Sequence, residues 1–249
     1  FIAAEDTRTL LKLANGLGVK LNAKLFSLHE HNEADRVQQL LGIAQTEDVL
    51  VVSDAGMPTV SDPGFVLVRA AIEAGIQVTV IPGPSAVLAA LAVSGLPTDR
   101  FSFEGFLPRK SGERKKFFTD LLAEPRTMVF FESPHRIKDS ISDAVSVFGP
   151  DRKAAVSREL TKKFEETVRG SLAELLSWAE IEPRGELVLV IAGVSQEEKP
   201  EATSADLLEA VEFARNSGLS LKQSVAKVAL ANGVSKSDLY QQVLDSRES

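Results

Sequence analysis

Two stretches constrain the architecture of this chain more than any others: Val49–Gly64, VLVVSDAGMPTVSDPG, and Gln77–Ala86, QVTVIPGPSA. Each is a short apolar run that halts at a Gly/Pro-rich corner and then enters a helical pattern. A β-branched run of this kind reads as a strand buried on both faces of a parallel sheet. The corner behind it lies at the carboxyl edge of the sheet, where open α/β folds hold ligands. Two such corners made of glycine and small polar residues imply one compact ligand gripped largely by backbone.

The same alternation runs through the first hundred residues. Strands are expected at Phe1–Ala4, Ala23–Leu28, Val49–Ser53 and Gln77–Ile81, with helices over Thr7–Leu17, Glu33–Ala44, Asp62–Gly75 and Ser85–Gly95. Asp62 followed by Pro63 has the form of an N-cap with proline at the first helical position. Strands alternating with helices of about 10–15 residues give βαβ units and a parallel sheet. After Pro97 the pattern changes. Strands are expected at Arg100–Glu104, Thr127–Phe131, Lys153–Ser157, Glu165–Arg169 and Glu186–Ile191, two of them joined by a short connection, which implies a mixed sheet. The fold expected is therefore α/β, with two α/β domains (1–96 and 97–195) separated by a cleft. A polar linker (196–204) and a helical tail (205–249) follow. The last two tail helices, joined by Asn232-Gly233-Val234, have helix-turn-helix spacing, a form that serves either as a packing module or as a nucleic-acid reader.

Composition narrows the function classes. A chain of 249 residues, 44% apolar, has room for a sizeable core, and no run approaches the roughly 18 apolar residues of a membrane helix. The start lacks the layout of a signal peptide. Cysteine is absent, which removes disulfides, thiolate metal sites and a cysteine nucleophile, and fits the cytoplasm. The net charge of −7 argues against a protein coated in nucleic acid, yet Arg109, Lys110, Arg114, Lys115 and Lys116 face only Glu113 within Arg109–Lys116. That run reads either as a solvated helix start or as a phosphate-contacting loop.

Neither G-x-G-x-x-G nor G-x-x-x-x-G-K-[ST] occurs, so the usual phosphate cradles are unsupported. His29 and His31, with Glu30 and Glu33, have no specific metal spacing, and no metal is expected. Asp54 closes a buried strand as an Asx turn or holds a ligand hydroxyl or ammonium, with Ala55 and Gly56 permitting close approach. Pro82-Gly83-Pro84-Ser85-Ala86 is stiffer than a bare turn requires, and its helix start offers free N–H groups. Asp6 is a helix cap or a site residue, and Glu132 is an acid/base or a capping group.

AAEDTR (Ala3–Arg8), LHEHNE (Leu28–Glu33), VSDAGMPTVSDPG (Val52–Gly64), IPGPSA (Ile81–Ala86), GLPTDRFSFEGFLPRK (Gly95–Lys110), FFESPHR (Phe130–Arg136), SRELTKKFEE (Ser157–Glu166) and GELVLVI (Gly185–Ile191) occur in order over nearly the whole chain. Together they resemble the tetrapyrrole methylase superfamily, and within it the branch that methylates the 2′-oxygen of a cytidine in 16S ribosomal RNA. The resemblance implies S-adenosylmethionine as cofactor, touching Asp54, Ala55, Gly56, Pro82, Gly83, Ser85 and Ala86. It adds Phe131, Glu132, Leu160, Gly185 and Glu186 from the second half. The candidates for activating the ribose hydroxyl are Glu5, Asp6, His29 and Glu132, and those for positioning phosphates are Arg8, Arg109, Lys110, Arg114, Lys115 and Lys116. It further implies the small ribosomal subunit as partner, a homodimer, and no membrane. The family opens with one more βα unit, ending in a T-P-I-G-N-like loop, than is seen ahead of Phe1, so an upstream segment is expected. Competing readings are a methyltransferase of small tetrapyrroles and a non-catalytic ribosome-associated protein.

Overall fold

The computed structural model of the protein describes residues 1–181, 183–194, 204–216, 220–232 and 234–248. They fall into two compact units, Phe1–Val194 and Ser195–Ser249. The expected linker lies, apart from Ser204, outside the described residues, as does Gly233 of the tail turn.

The first unit contains two sheets. β1 (Ile2–Ala4), β2 (Leu25–Ser27) and β3 (Leu50–Val52) form a parallel sheet in the order β2-β1-β3, with Ile2 opposite both Leu25 and Leu50. Helices α1 (Thr7–Gly16), α2 (Glu33–Ala44) and α3 (Phe65–Glu73) follow these strands, and α4 (Ala86–Ser94) follows the second corner. Ala3, Phe26, Leu28, Val37, Leu40 and Leu67 make this sheet's core.

The second sheet, mixed as expected, has the order β4-β5-β8-β6-β7: β4 (Phe101–Phe106), β5 (Thr127–Glu132), β8 (Leu187–Ile191), β6 (Lys153–Arg158) and β7 (Glu166–Ser171). β4 and β5 run parallel and the other pairs antiparallel. Its alternating residues sort onto two faces. Met128, Phe130, Leu189 and Ile191 pack with residues of α5 (Ser111–Asp120), α6 (Ile137–Phe148) and α7 (Leu172–Ala179). Val129, Val188 and Val190 pack instead against Val87, Ala90 and Leu91 of α4. Helix α4 reads AVLAALAVS. Its lack of a polar face suits a position against the second sheet, which anchors the Ser85-Ala86 corner there.

The second unit comprises α8 (Ser204–Asn216), α9 (Leu221–Asn232) and α10 (Lys236–Glu248), closed around Leu207, Val211, Val225, Val228, Leu239 and Val243.

Two local expectations are corrected. Gln77–Ile81 is not a ladder strand; it runs without a paired strand among the described residues, and Val78, Val80 and Ile81 are exposed. A β-branched run becomes a strand only when a neighbour meets its N–H and C=O groups, and β3 pairs with β1 and no other described strand. Helix α3 begins at Phe65 behind Gly64, not at Asp62-Pro63. Its free N–H groups are met by a residue distant in sequence: Gly64, Val66 and Leu67 donate to Oε1 of buried Glu33 at 3.0, 2.8 and 3.2 Å.

Candidate functional site

At the carboxyl edge of the first sheet, adjacent strands β1 and β3 deliver Glu5-Asp6 and Asp54 to one place. The two turns are tied reciprocally. The Asp54 N–H donates to Glu5 Oε2 (3.0 Å) and the Asp6 N–H donates to Asp54 Oδ1 (3.2 Å). Asp6 caps α1 by accepting from the Arg8 N–H (2.8 Å), and its carboxylate also grips the Arg8 guanidinium at 2.6 Å. Those hydrogen bonds hold Asp6 down at about 2, which makes it a weak base. Arg8 remains exposed but ion-paired.

The loop from Asp54 to Gly64 is strained. Thr59 and Ser61 take φ values of 75° and 61°, a left-handed conformation costly for residues with a Cβ and often found at functional sites. Gly64 sits at φ 120°, where a Cβ would press on Val51 at 3.3 Å. Because Glu33 supplies the helix cap, Asp62 is left without that role. Burial, with the Glu5 and Asp54 carboxylates facing it, pushes Asp62 up to about 6.

The two corner loops meet. A Cβ at Gly83 would lie 3.1 Å from Met57 Sδ, and one at Gly56 would lie 4.0 Å from both Asp62 Oδ2 and the Pro84 carbonyl. Gly56 is at φ +83°, a conformation that favours glycine. Ala55, Gly56, Pro82, Gly83 and Ala86 are exposed around this junction, and Ser85 Oγ caps α4 by accepting from the Leu88 N–H at 3.5 Å.

From the second sheet, Phe131 and Leu160 join the cluster that α4 forms with Val129, Val188 and Val190. Leu160 is held between two left-handed residues, Glu159 (φ 49°) and Thr161 (φ 66°). Glu159 accepts from the Glu186 N–H (3.0 Å) and from Lys162 Nζ (3.0 Å), which together keep its carboxyl below the usual range. A side chain on Gly185 would overlap Glu159. Leu160, Gly185 and Glu186 are thereby drawn together.

Three further sequence candidates have these surroundings. Glu132 is buried, on the strand position that turns toward α6: it accepts from the Ser133 N–H (2.7 Å), Ser140 Oγ (2.6 Å) and Arg136 Nε (2.9 Å). That geometry is an ion pair with Arg136 and a tie to Ser140; none of its donors is a backbone N–H of α6. His29 follows β2, the parallel neighbour of β1, at the same carboxyl edge, with its backbone N–H donating to Asn32 Oδ1 at 2.9 Å. No group of three metal-ligating side chains is found among the described residues. Arg114, expected to meet phosphate, is corrected: its side chain is 3% exposed and paired with Asp143 at 2.6 Å. Helical spacing turns it inward while Lys115 and Lys116 face out. Arg109 and Lys110 are also exposed, the latter beside Glu113 at 3.0 Å.

A sequence profile of the tetrapyrrole (corrin/porphyrin) methylases matches residues 3–176, both sheets included up to β7 and into α7. The chain belongs to that methyltransferase family. Among its relatives, the ribosomal RNA small subunit methyltransferase I of Mycobacterium tuberculosis (strain CDC 1551 / Oshkosh) is 48% identical over 248 residues, 99% of this chain and 86% of that protein. The protein of the same name from Escherichia coli O157:H7 is 43% identical over 251 residues, with the same two coverages. Among solved structures, the methyltransferase CobJ superposes with a TM-score of 0.54 at 18% identity, over 78% of this chain and 93% of CobJ. Cobalt precorrin-4 methyltransferase gives 0.53 at 17%, over 77% and 82%. At such identities these structures speak for the fold of this tetrapyrrole methylase. The site residues that sequence reading passed over are Asp62 and Glu33: the first resembled a cap, and nothing local in the sequence links Glu33 to a helix thirty residues on.

Proposed function

We propose that this tetrapyrrole methylase transfers the methyl group of S-adenosylmethionine to the ribose 2′-oxygen of a cytidine in the 16S RNA of the small ribosomal subunit. The observation that carries the reading is the 48% identity, along 99% of the chain, to a methyltransferase named for small-subunit ribosomal RNA. The junction of the two corner loops suits the cofactor: glycine and alanine leave room at Ala55, Gly56 and Gly83, the first turn of α4 offers backbone N–H groups, and Asp54 offers an acceptor. Leu160 and Phe131 would supply its apolar wall.

When bound, the cofactor supplies a methyl group on a cationic sulfur. The chain's part is alignment, exclusion of water and reception of one proton. Methylation of the ribose oxygen would release its hydroxyl proton, which a residue of the chain would have to receive. Asp62 is the acceptor this geometry favours. Its carboxyl, raised to about 6, is largely ionised at neutral pH and is a better base than Asp6 held at about 2. Glu5 and Asp54, locked to backbone N–H groups, keep the two turns in register. Exposed Arg109, Lys110, Lys115 and Lys116 are suited to RNA phosphates, and a ribosomal substrate places the activity in the cytoplasm.

The test is transfer from labelled S-adenosylmethionine to purified small subunits lacking this modification. The proposal expects label in RNA and none in added tetrapyrroles; label in tetrapyrrole, with RNA unmodified, would give the site to a small molecule.

A further inference from the structure

The aromatic side chain at the end of β4 is placed by features that no part of the proposed methyl transfer explains. Between Phe103↔Val129 and Phe106↔Phe131 the β4–β5 register shifts, with three steps on β4 against two on β5. The extra residue is a bulge at Glu104-Gly105, and Gly105 adopts φ +70° in open space. Strict alternation would put Phe106 on the face opposite Phe103. The bulge returns it to the same face, where both rings meet Phe131 edge-on, with centroids 4.9 and 5.4 Å away. Bulges that re-aim a side chain in this way are frequent beside binding sites. Phe131 belongs to the cluster under α4, so Phe106 extends that cluster outward from the candidate cofactor site, and it is 63% exposed.

The backbone behind Phe106 is pinned with unusual completeness. Arg136 Nη2 donates to the Leu107 carbonyl at 2.8 Å while ion-paired with Glu132. Arg114 Nη1 donates to the carbonyls of Pro108 and Arg109 at 3.1 and 3.2 Å while paired with Asp143. Two arginines thus hold three successive carbonyls, and Leu107 is buried. The side chains left facing outward are Phe106, Arg109 and Lys110, with Lys115 and Lys116 on the next helix. The acidic counterparts are Glu113 on Lys110 and Asp143, 3.5 Å from Lys115. An exposed ring on a fixed backbone with a basic flank matches what single-stranded nucleic acid offers: a π-face with phosphates attached.

Resting on the RNA reading above, we infer that Phe106 is a stacking platform for an unpaired nucleobase of the RNA substrate, with Arg109 and Lys110 on the neighbouring phosphates. Glu132, Arg136, Arg114 and Asp143 are its positioning residues, which accounts for buried charges that the methyl transfer does not use.

The experiment compares the full chain with F106Y, F106L and F106A, measuring affinity for a short single-stranded oligoribonucleotide, KM for small subunits, cofactor affinity and oligomeric state. Stacking predicts that F106Y stays within about 2-fold of the parent. F106L and F106A should weaken oligonucleotide binding and raise subunit KM by roughly 5- to 150-fold, with cofactor affinity unchanged. Equal RNA affinity in all four proteins overturns the proposal, as does a change of oligomeric state in F106L with RNA binding intact, which would make the surface a protein interface. Stacking in a parent that binds RNA yet methylates no subunit would sustain the platform and remove the substrate assignment. A parent that methylates subunits regardless of residue 106 would do the reverse.

Discussion

At the scale of single residues, the site turns on which carboxylate caps a helix and which does not. Three N–H groups at the start of α3 go to Glu33, and Asp62 is left facing Glu5 and Asp54. If Asp62 receives the proton, kcat should fall about tenfold per pH unit below about pH 6. D62N should lower kcat by about 100-fold or more while S-adenosylmethionine affinity, measured by calorimetry, stays level. The stability consequence has the opposite direction. A carboxyl raised from 3.8 to about 6 on folding favours the native state when protonated; this contribution is full below about 3.8 and lost as pH rises through about 6. D62N should therefore have a higher Tm than the parent at pH 7.5, and the difference should vanish as pH falls below about 3.8. Equal Tm values at pH 7.5 would contradict the buried-charge account. At this scale the sequence was least legible: Asp62-Pro63 carries every local mark of a helix start, and only the three-dimensional arrival of Glu33 displaces it.

At the scale of elements, two buried carboxylates hold segments that are separated in sequence. E33A leaves three helix N–H groups without their acceptor and should cost about 1–3 kcal/mol in urea unfolding, while E33Q, which retains an acceptor oxygen, should recover most of it. Arg114 and Asp143 are both nearly inaccessible, so R114A strands a buried charge and should cost about 3–5 kcal/mol. R109A, at an exposed position, should cost little. The inward turn of Arg114 follows from helical periodicity once α5 begins at Ser111, but charge alone had grouped it with Lys115 and Lys116. Most elements were legible because their apolar periodicity matches their burial: Met128 and Phe130 face one layer and Val129 and Phe131 the other. Gln77–Ile81 has the same strand-like pattern and pairs with no described strand. The pattern records what a segment can do, whereas a ladder also requires a neighbour.

For the whole molecule, the parallel and mixed sheets, the corner loops between them and the family to which they belong were all readable from ordered motifs, because those motifs are the backbone corners themselves. The division of labour between the candidate bases was not readable, since it depends on contacts across the fold. Among the described residues no helix is long and apolar enough to cross a membrane. The proposed activity directs a methyl group from this junction to a ribose oxygen. The most direct test is to digest small-subunit RNA, after reaction with the full chain and S-adenosylmethionine, to nucleosides and identify the product by mass spectrometry. The expected product is 2′-O-methylcytidine, formed by the parent and at an initial rate lower by about 100-fold or more in D62N. A methyl group on the cytosine ring, or none in RNA from a protein that binds the cofactor, would contradict it.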